Sequence, residues 1–145
     1  MSENTVKRVR VQHLRRMKEQ REPITMLTCY DAVTARIFDA AGIDVLLVGD
    51  SYGNTCLGYE STVSVSLEEM EVPTAAVARG AKRAFIVADL PFGSYEESSE
   101  RAVASAVRLI KAGAHAVKLE GGVRQASAVK AIVDAGILVV GHIGF

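Results

Sequence analysis

Three apolar runs in this chain end on an acid. VLLVGDS (45–51) carries Asp50, FIVADLP (85–91) carries Asp89 and VKLEGG (117–122) carries Glu120. A fourth run, ILVVGH (137–142), ends on His142, and Lys118 stands two residues before Glu120. Side chains two apart on a strand share a face, so Lys118 and Glu120 point into one cavity, the lysine deeper. Carboxylates crowded together repel, and a hard divalent cation relieves that repulsion. Mg²⁺ uses one or two protein carboxylates and completes its shell with waters and substrate oxygens. On this reading Asp50 and Asp89 are direct ligands, Glu120 binds through water, and Lys118 and His142 hold an anionic substrate. Read one at a time, the same residues are ordinary. A strand-end aspartate is a helix N-cap or turn former, Lys118 a surface residue or an ion-pair partner, and His142 a hydrogen-bonded histidine. Tyr30-Asp31 is likewise a cap or a pocket wall. The recurrence on successive strands puts the shared site level with these ordinary readings.

The elements that must position these groups form a repeat. AAGIDVLLVGD (40–50), ARGAKRAFIVAD (78–89), KAGAHAVKLE (111–120) and DAGILVVGH (134–142) each pass from alanine-rich sequence through a glycine into an apolar run. Gly42, Gly80, Gly113 and Gly136 fit helix C-caps, where the backbone turns left-handed. A first strand is expected at ITMLTCY (24–30), with Asp31 capping a helix over 31–41. Further helices are expected over 67–78, with Pro73 at a kink or turn, over 94–112 starting at Ser94, and over 124–135. Glu96, Glu97 and Glu100 at the front of 94–112 and Lys111 at its back suit the helix dipole. The stretch SYGNTCLGYESTVSVS (51–66) is long for a connection and reads as a functional loop. Strands alternating with helices imply a parallel α/β sheet. Two architectures fit: a five-stranded doubly wound sheet, or a (β/α)8 TIM barrel, which needs about 250 residues and gathers its chemistry at the strand C-termini. The strand-end acids favour residues 23–145 as the first five strands of a barrel, cut short or completed by something else.

Composition narrows the classes. The chain has 145 residues, 49% hydrophobic and 23% charged, with a formal net charge of zero. That balance gives no electrostatic case for nucleic acid or an anionic membrane. Cys29 and Cys56 form no C-x-x-C pair, which suits a reducing cytoplasm. No apolar stretch reaches the ~20 residues of a membrane span. Residues 1–22 are basic, without the apolar core of a signal peptide. Glu3, Glu19 and Glu22 count against a transit peptide. Val11, Leu14 and Met17 form one face of a short helix that packs on the domain or on a neighbouring subunit. There is no G-x-G-x-x-G, Walker or serine-nucleophile motif.

Five segments, T-C-Y-D (28–31), V-G-D-S (48–51), A-D-L-P-F (88–92), V-K-L-E-G-G (117–122) and G-H-I-G (141–144), occur in that order, with the G-D-S-Y-G-N-T-C-L-G-Y loop after the second strand. In this the chain resembles the ketopantoate hydroxymethyltransferases over nearly all of 23–145. The resemblance implies a barrel of the phosphoenolpyruvate/pyruvate class. It implies transfer of a one-carbon unit from 5,10-methylenetetrahydrofolate to 3-methyl-2-oxobutanoate, giving 2-dehydropantoate. It also implies Mg²⁺ and a homo-oligomer, often a decamer. Asp50 and Asp89 carry over as metal ligands with Glu120 completing the site. Ser51, Lys118 and His142 carry over as groups that hold the keto acid. The family's general base is a glutamate on a later strand that nothing here matches. Glu71-Val72-Pro73 departs from a histidine-containing pattern, and Glu60 stands where aspartate is common. The related phosphoenolpyruvate mutase and isocitrate lyase enzymes are an alternative, but the K-K-C-G-G-like loop of the lyases is absent. A third possibility is an inactive half-barrel that serves as a binding module.

Overall fold

A computed structural model describes residues 7–144. The described chain runs α1 (Val11–Gln20), β1 (Met26–Thr28), α2 (Ala32–Ala40), β2 (Val45–Val48), α3 (Tyr52–Thr55), α4 (Leu67–Gly80), β3 (Phe85–Asp89), α5 (Ser99–Ala112), β4 (Ala116–Glu120), α6 (Ala126–Asp134) and β5 (Leu138–His142). Short 3-10 turns at Thr62–Ser64 and Gly122–Gln125 precede α4 and α6. All neighbouring strands pair in parallel, in the order β1-β2-β3-β4-β5. A doubly wound sheet reverses its strand order at a switch point. This sheet never reverses, which is the order of a barrel wall.

Alternation along the strands separates two apolar faces. Leu46, Val48, Ile86, Ala88, Val117 and Leu119 pack outward with helix residues such as Ala35, Met70, Val77, Ala106 and Leu109. Val45, Phe85, Val87 and Ala116 face the other way, where Val9, Leu47 and Leu14 join them. That second face is the concave one, and the segment around Val9 and α1 closes its lower end. Val9 N–H donates to Arg83 O at 2.7 Å. The i, i+2 rule then continues Phe85 and Val87 to Asp89, and Ala116 to Lys118 and Glu120, on the concave face.

Local signals explain most boundaries. Asp31 caps α2 by accepting from Val33 N–H and Thr34 N–H. Ser66 and Glu69 form a reciprocal capping box at the start of α4. Gly113 ends α5 at φ 117°. Other expectations need correction. Gly80 does not turn left-handed; it is the last residue of α4, and the extended Ala81 follows. Its glycine identity reflects close packing, since a Cβ there would lie 2.5 Å from Ala32 O and 2.8 Å from Ala35 Cβ. Helix α5 begins at Ser99 with Ser98 as its cap, not at Ser94. Residues 91–96 fold into turns instead. Ser94 Oγ donates to Pro91 O at 2.6 Å, and Glu96 Oε2 accepts from Gly93 N–H at 2.8 Å. Pro73 lies inside α4, which continues through it. Thr74 Oγ1 donates to Met70 O at 2.7 Å in the same stretch. β1 is three residues long, shorter than its apolar run. Among the described residues no helix is long and apolar enough to cross a membrane.

Candidate active site

The C-terminal ends of β2 to β5 open onto one cleft of about 490 Å³. Asp50, Ser51, Asp89, Lys118, Glu120 and His142 all line it. Every site residue expected from the sequence therefore reaches the same space. Parallel register is the cause. Asp89 is the Cα partner of Lys118, and Glu120 that of His142.

Two pairs dominate the polar geometry. Lys118 Nζ donates to Asp89 Oδ1 at 2.6 Å, with the side chains 20% and 7% exposed. The other Asp89 oxygen accepts from Asp50 N–H at 3.2 Å. Burial pushes the Asp89 carboxyl above its ordinary range, and the neighbouring Lys118 ammonium opposes that rise. Nearer the rim, His142 Nδ1 donates to Glu120 Oε2 at 2.7 Å. Glu120 is the more exposed partner there, at 65% against 30%.

The capping alternative fails for both aspartates. The helix after Asp50, α3, has Ser51 at its N-cap and no side-chain cap bond. Asp89 spends its oxygens on Lys118 and on the Asp50 amide. Gly49 also has a specific role. A Cβ there would lie 2.8 Å from Ser51 Oγ and 3.5 Å from Asp89 Oδ2, so the missing side chain makes room for these two groups.

Whether this set fits a divalent cation can be judged from its donors. Among the described residues no group of three or more His, Cys, Asp or Glu side chains is placed to hold a metal. Glu120 is paired with His142 at the rim. Asp50 and Asp89 remain as two hard oxygen donors on adjacent strand ends beside an open cleft. That is a donor set Mg²⁺ accepts, because it keeps waters and takes substrate oxygens at the other positions.

Some cleft residues were missed by sequence reasoning. Tyr95 is buried in the wall, and its phenol is pushed up to about 12, chiefly by burial. It therefore stays a hydroxyl donor near neutral pH. Its oxygen accepts from Glu120 N–H at 3.4 Å. Val63, Leu90 and Phe92 give the cleft an apolar side. Nothing in the spacing of Tyr95 marked it, because residues 94–98 read as helix.

The family model described as ketopantoate hydroxymethyltransferase matches residues 8–145. The 3-methyl-2-oxobutanoate hydroxymethyltransferase of Leifsonia xyli subsp. xyli is 59% identical over 140 residues, covering 96% of this chain and 50% of that protein. Its namesake from Corynebacterium glutamicum is 52% identical over 146 residues, covering 100% of this chain and 54% of that protein. The chain spans about half the length of the curated relatives it matches. Among solved structures, phosphoenolpyruvate phosphomutase from Streptomyces platensis subsp. rosaceus superposes with TM-score 0.72 at 16% identity, over 88% of this chain and 51% of that one. 2,3-Dimethylmalate lyase, a PEP mutase/isocitrate lyase superfamily member, gives TM-score 0.66 at 20% identity, over 90% and 51%. Phosphonopyruvate hydrolase, solved with oxalate and Mg²⁺, gives 0.68 at 16%, over 90% and 50%. These likenesses carry the fold: five consecutive strands, about half of a (β/α)8 barrel. With five motifs in order, four of them reaching one cleft, and a family match over residues 8–145, the chain belongs to the ketopantoate hydroxymethyltransferase family.

Proposed function

We propose that this chain supplies the metal- and keto-acid-binding side of an enzyme that transfers a hydroxymethyl group from 5,10-methylenetetrahydrofolate to 3-methyl-2-oxobutanoate. The observation that carries the reading is the convergence of Asp50, Ser51, Asp89, Lys118, Glu120 and His142 on one cleft. Asp50 and Asp89 would hold Mg²⁺, with Glu120 reaching through water. Bound there, the metal would supply Lewis acidity that stabilises negative charge developing on the keto oxygen. The chain's own residues do the rest. Lys118 spends one N–H on Asp89 and has two left for a substrate carboxylate. Ser51 and Tyr95 add hydroxyl donors, and His142 stands at the rim. The apolar side formed by Val63, Leu90 and Phe92 suits a branched aliphatic tail. In this reading none of these cleft residues is the base that removes the C3 proton.

Calorimetric titration tests the proposal. The chain should bind 3-methyl-2-oxobutanoate in the presence of Mg²⁺ and prefer it to phosphonopyruvate. Asp50→Ala and Asp89→Ala should each lose both metal and keto acid. If Asp89→Ala bound both as the parent chain does, the ligand assignment would be wrong.

A further inference from the structure

Tyr30 follows β1, and by sequence it is a candidate cap residue or pocket wall. It does not line the cleft, and the capping belongs to Asp31 alone. Instead its hydroxyl lies 2.7 Å from Ser51 Oγ, across 21 residues of sequence, in a partly buried contact. The contact is built from several sides. Ser51 precedes the single turn of α3 with helical backbone, φ −54° and ψ −11°, and its hydroxyl makes no capping bond, so it is free to meet Tyr30. Its hydroxyl lies over Gly49, in space that a Cβ would enter at 2.8 Å. The Tyr30 ring is itself braced by Tyr52, with centroids 5.7 Å apart and planes tilted by 49°. Tyr52 is the first residue of α3, so the helix that carries Ser51 at its cap also holds the tyrosine that orients it.

Either oxygen can donate in this pair. The phenol is the more acidic hydroxyl and the better donor. A phenol that donates to Ser51 Oγ leaves the serine proton free, with a lone pair already occupied. That proton is then available to an acceptor in the cleft, which Ser51 lines. We infer that Tyr30 is a positioning residue for ligand recognition: it fixes the Ser51 hydroxyl as a donor toward a carboxylate or keto oxygen in the cleft. The inference rests on the proposed keto-acid reading of that cleft. It adds a residue that touches no ligand itself.

The test is a double-mutant cycle read by calorimetry on the full chain with Mg²⁺, using 3-methyl-2-oxobutanoate and, separately, oxalate as probes. Tyr30→Phe removes one oxygen and keeps the ring against Tyr52. It should weaken binding roughly 3- to 10-fold, the size of one hydrogen bond. Ser51→Ala should weaken it by at least as much, and Tyr30→Phe/Ser51→Ala should equal Ser51→Ala alone within about twofold, because the phenol acts only through the serine. A merely structural tyrosine would lower stability but leave the two losses multiplicative. Unchanged affinity in Tyr30→Phe, or multiplicative losses, overturns the inference while the keto-acid reading stands. Binding of oxalate without the keto acid overturns the substrate reading, and the cycle is then judged on oxalate. Binding of neither probe by the parent chain overturns both. Should Tyr30→Phe fail to fold, Tyr52→Leu carries the test, because it removes the ring that braces Tyr30 and leaves the Tyr30 and Ser51 hydroxyls in place. Parent-like affinity in that variant, or a loss that persists undiminished beside Ser51→Ala, overturns the inference.

Discussion

Replacing Lys118 with methionine probes the electrostatics on which the cleft is built. The pair it breaks is short and shielded, 2.6 Å with side chains 20% and 7% exposed. Asp89 would keep only the Asp50 N–H at 3.2 Å. Removing one partner of a buried pair costs roughly 3–5 kcal/mol. A ceiling applies here, because the stranded carboxylate can take up a proton. Keeping it protonated costs about 1.4 kcal/mol for each pH unit above an unfolded value near 3.9. The ceiling is therefore about 4 kcal/mol at pH 7 and about 1.5 kcal/mol at pH 5. Burial already raises the Asp89 carboxyl against the pull of Lys118, and losing Lys118 raises it further. With a raised value the folded chain binds the proton more tightly than the unfolded one. Stability then falls as pH climbs from the unfolded value through the folded one. Lys118→Met should cost about 3 kcal/mol at pH 7 and no more than about 1.5 kcal/mol at pH 5. In urea the neutral-pH loss is a midpoint shift of about 1–2 M for a slope near 2 kcal/mol/M. Adding Asp89→Asn should recover most of the loss, since no stranded charge remains. A loss that does not vary with pH, or a double variant no more stable than Lys118→Met, would refute this account.

Three further outcomes follow from packing and hydrogen bonding away from the cleft. Asp39 accepts from the backbone N–H groups of Lys82, Arg83 and Ala84 at 3.0, 3.0 and 2.6 Å, tying α2 to the entrance of β3. Asp39→Ala should cost roughly 2–3 kcal/mol and Asp39→Asn clearly less, measured by urea denaturation. Gly80→Ala must push backbone apart, since its Cβ would meet Ala32 O at 2.5 Å. A loss of about 1–3 kcal/mol, seen as a lower melting temperature, is expected. His115 Nδ1 accepts from Ile86 N–H at 2.9 Å, while its own N–H donates to Ile86 O at 2.8 Å, so side chain and backbone together extend the β3–β4 ladder. Its Nε2 then carries the proton, and the Arg8 guanidinium 3.2 Å away faces it as donor against donor. Burial, with Arg8 adding to it, pushes the imidazole below its ordinary value. Stability should accordingly fall as pH drops from about 6.5 through the folded value, and His115→Asn should flatten that slope in urea midpoints.

How far the site was legible depends on the range of the interactions that build it. The i, i+2 rule within β4 put Lys118 and Glu120 on one face without any knowledge of the fold, and the Asp31 cap of α2 is likewise a matter of adjacent residues. The start of α5 was misread for a related reason. Ser94 has the right type for a cap, but its hydroxyl goes to Pro91 O and its carbonyl accepts from Ser105 Oγ at 2.7 Å, a tertiary choice that spacing does not encode. Gly80 was misread because a glycine needed for a helix crossing looks the same in sequence as a glycine needed for a left-handed turn.

The sequence by itself determined the order of elements and the parallel class of the sheet, and it marked the polar residues at the strand ends, because alternation and apolar runs are properties of a few consecutive residues. Only the tertiary structure decided the partners. Strand register joined Lys118 to Asp89, 29 positions away, and Glu120 to His142, 22 positions away. The meeting of Tyr30 with Ser51 was settled in the same way. Each of these contacts depends on how one strand slides against the next, and that is fixed by the packing of the whole sheet on its helices.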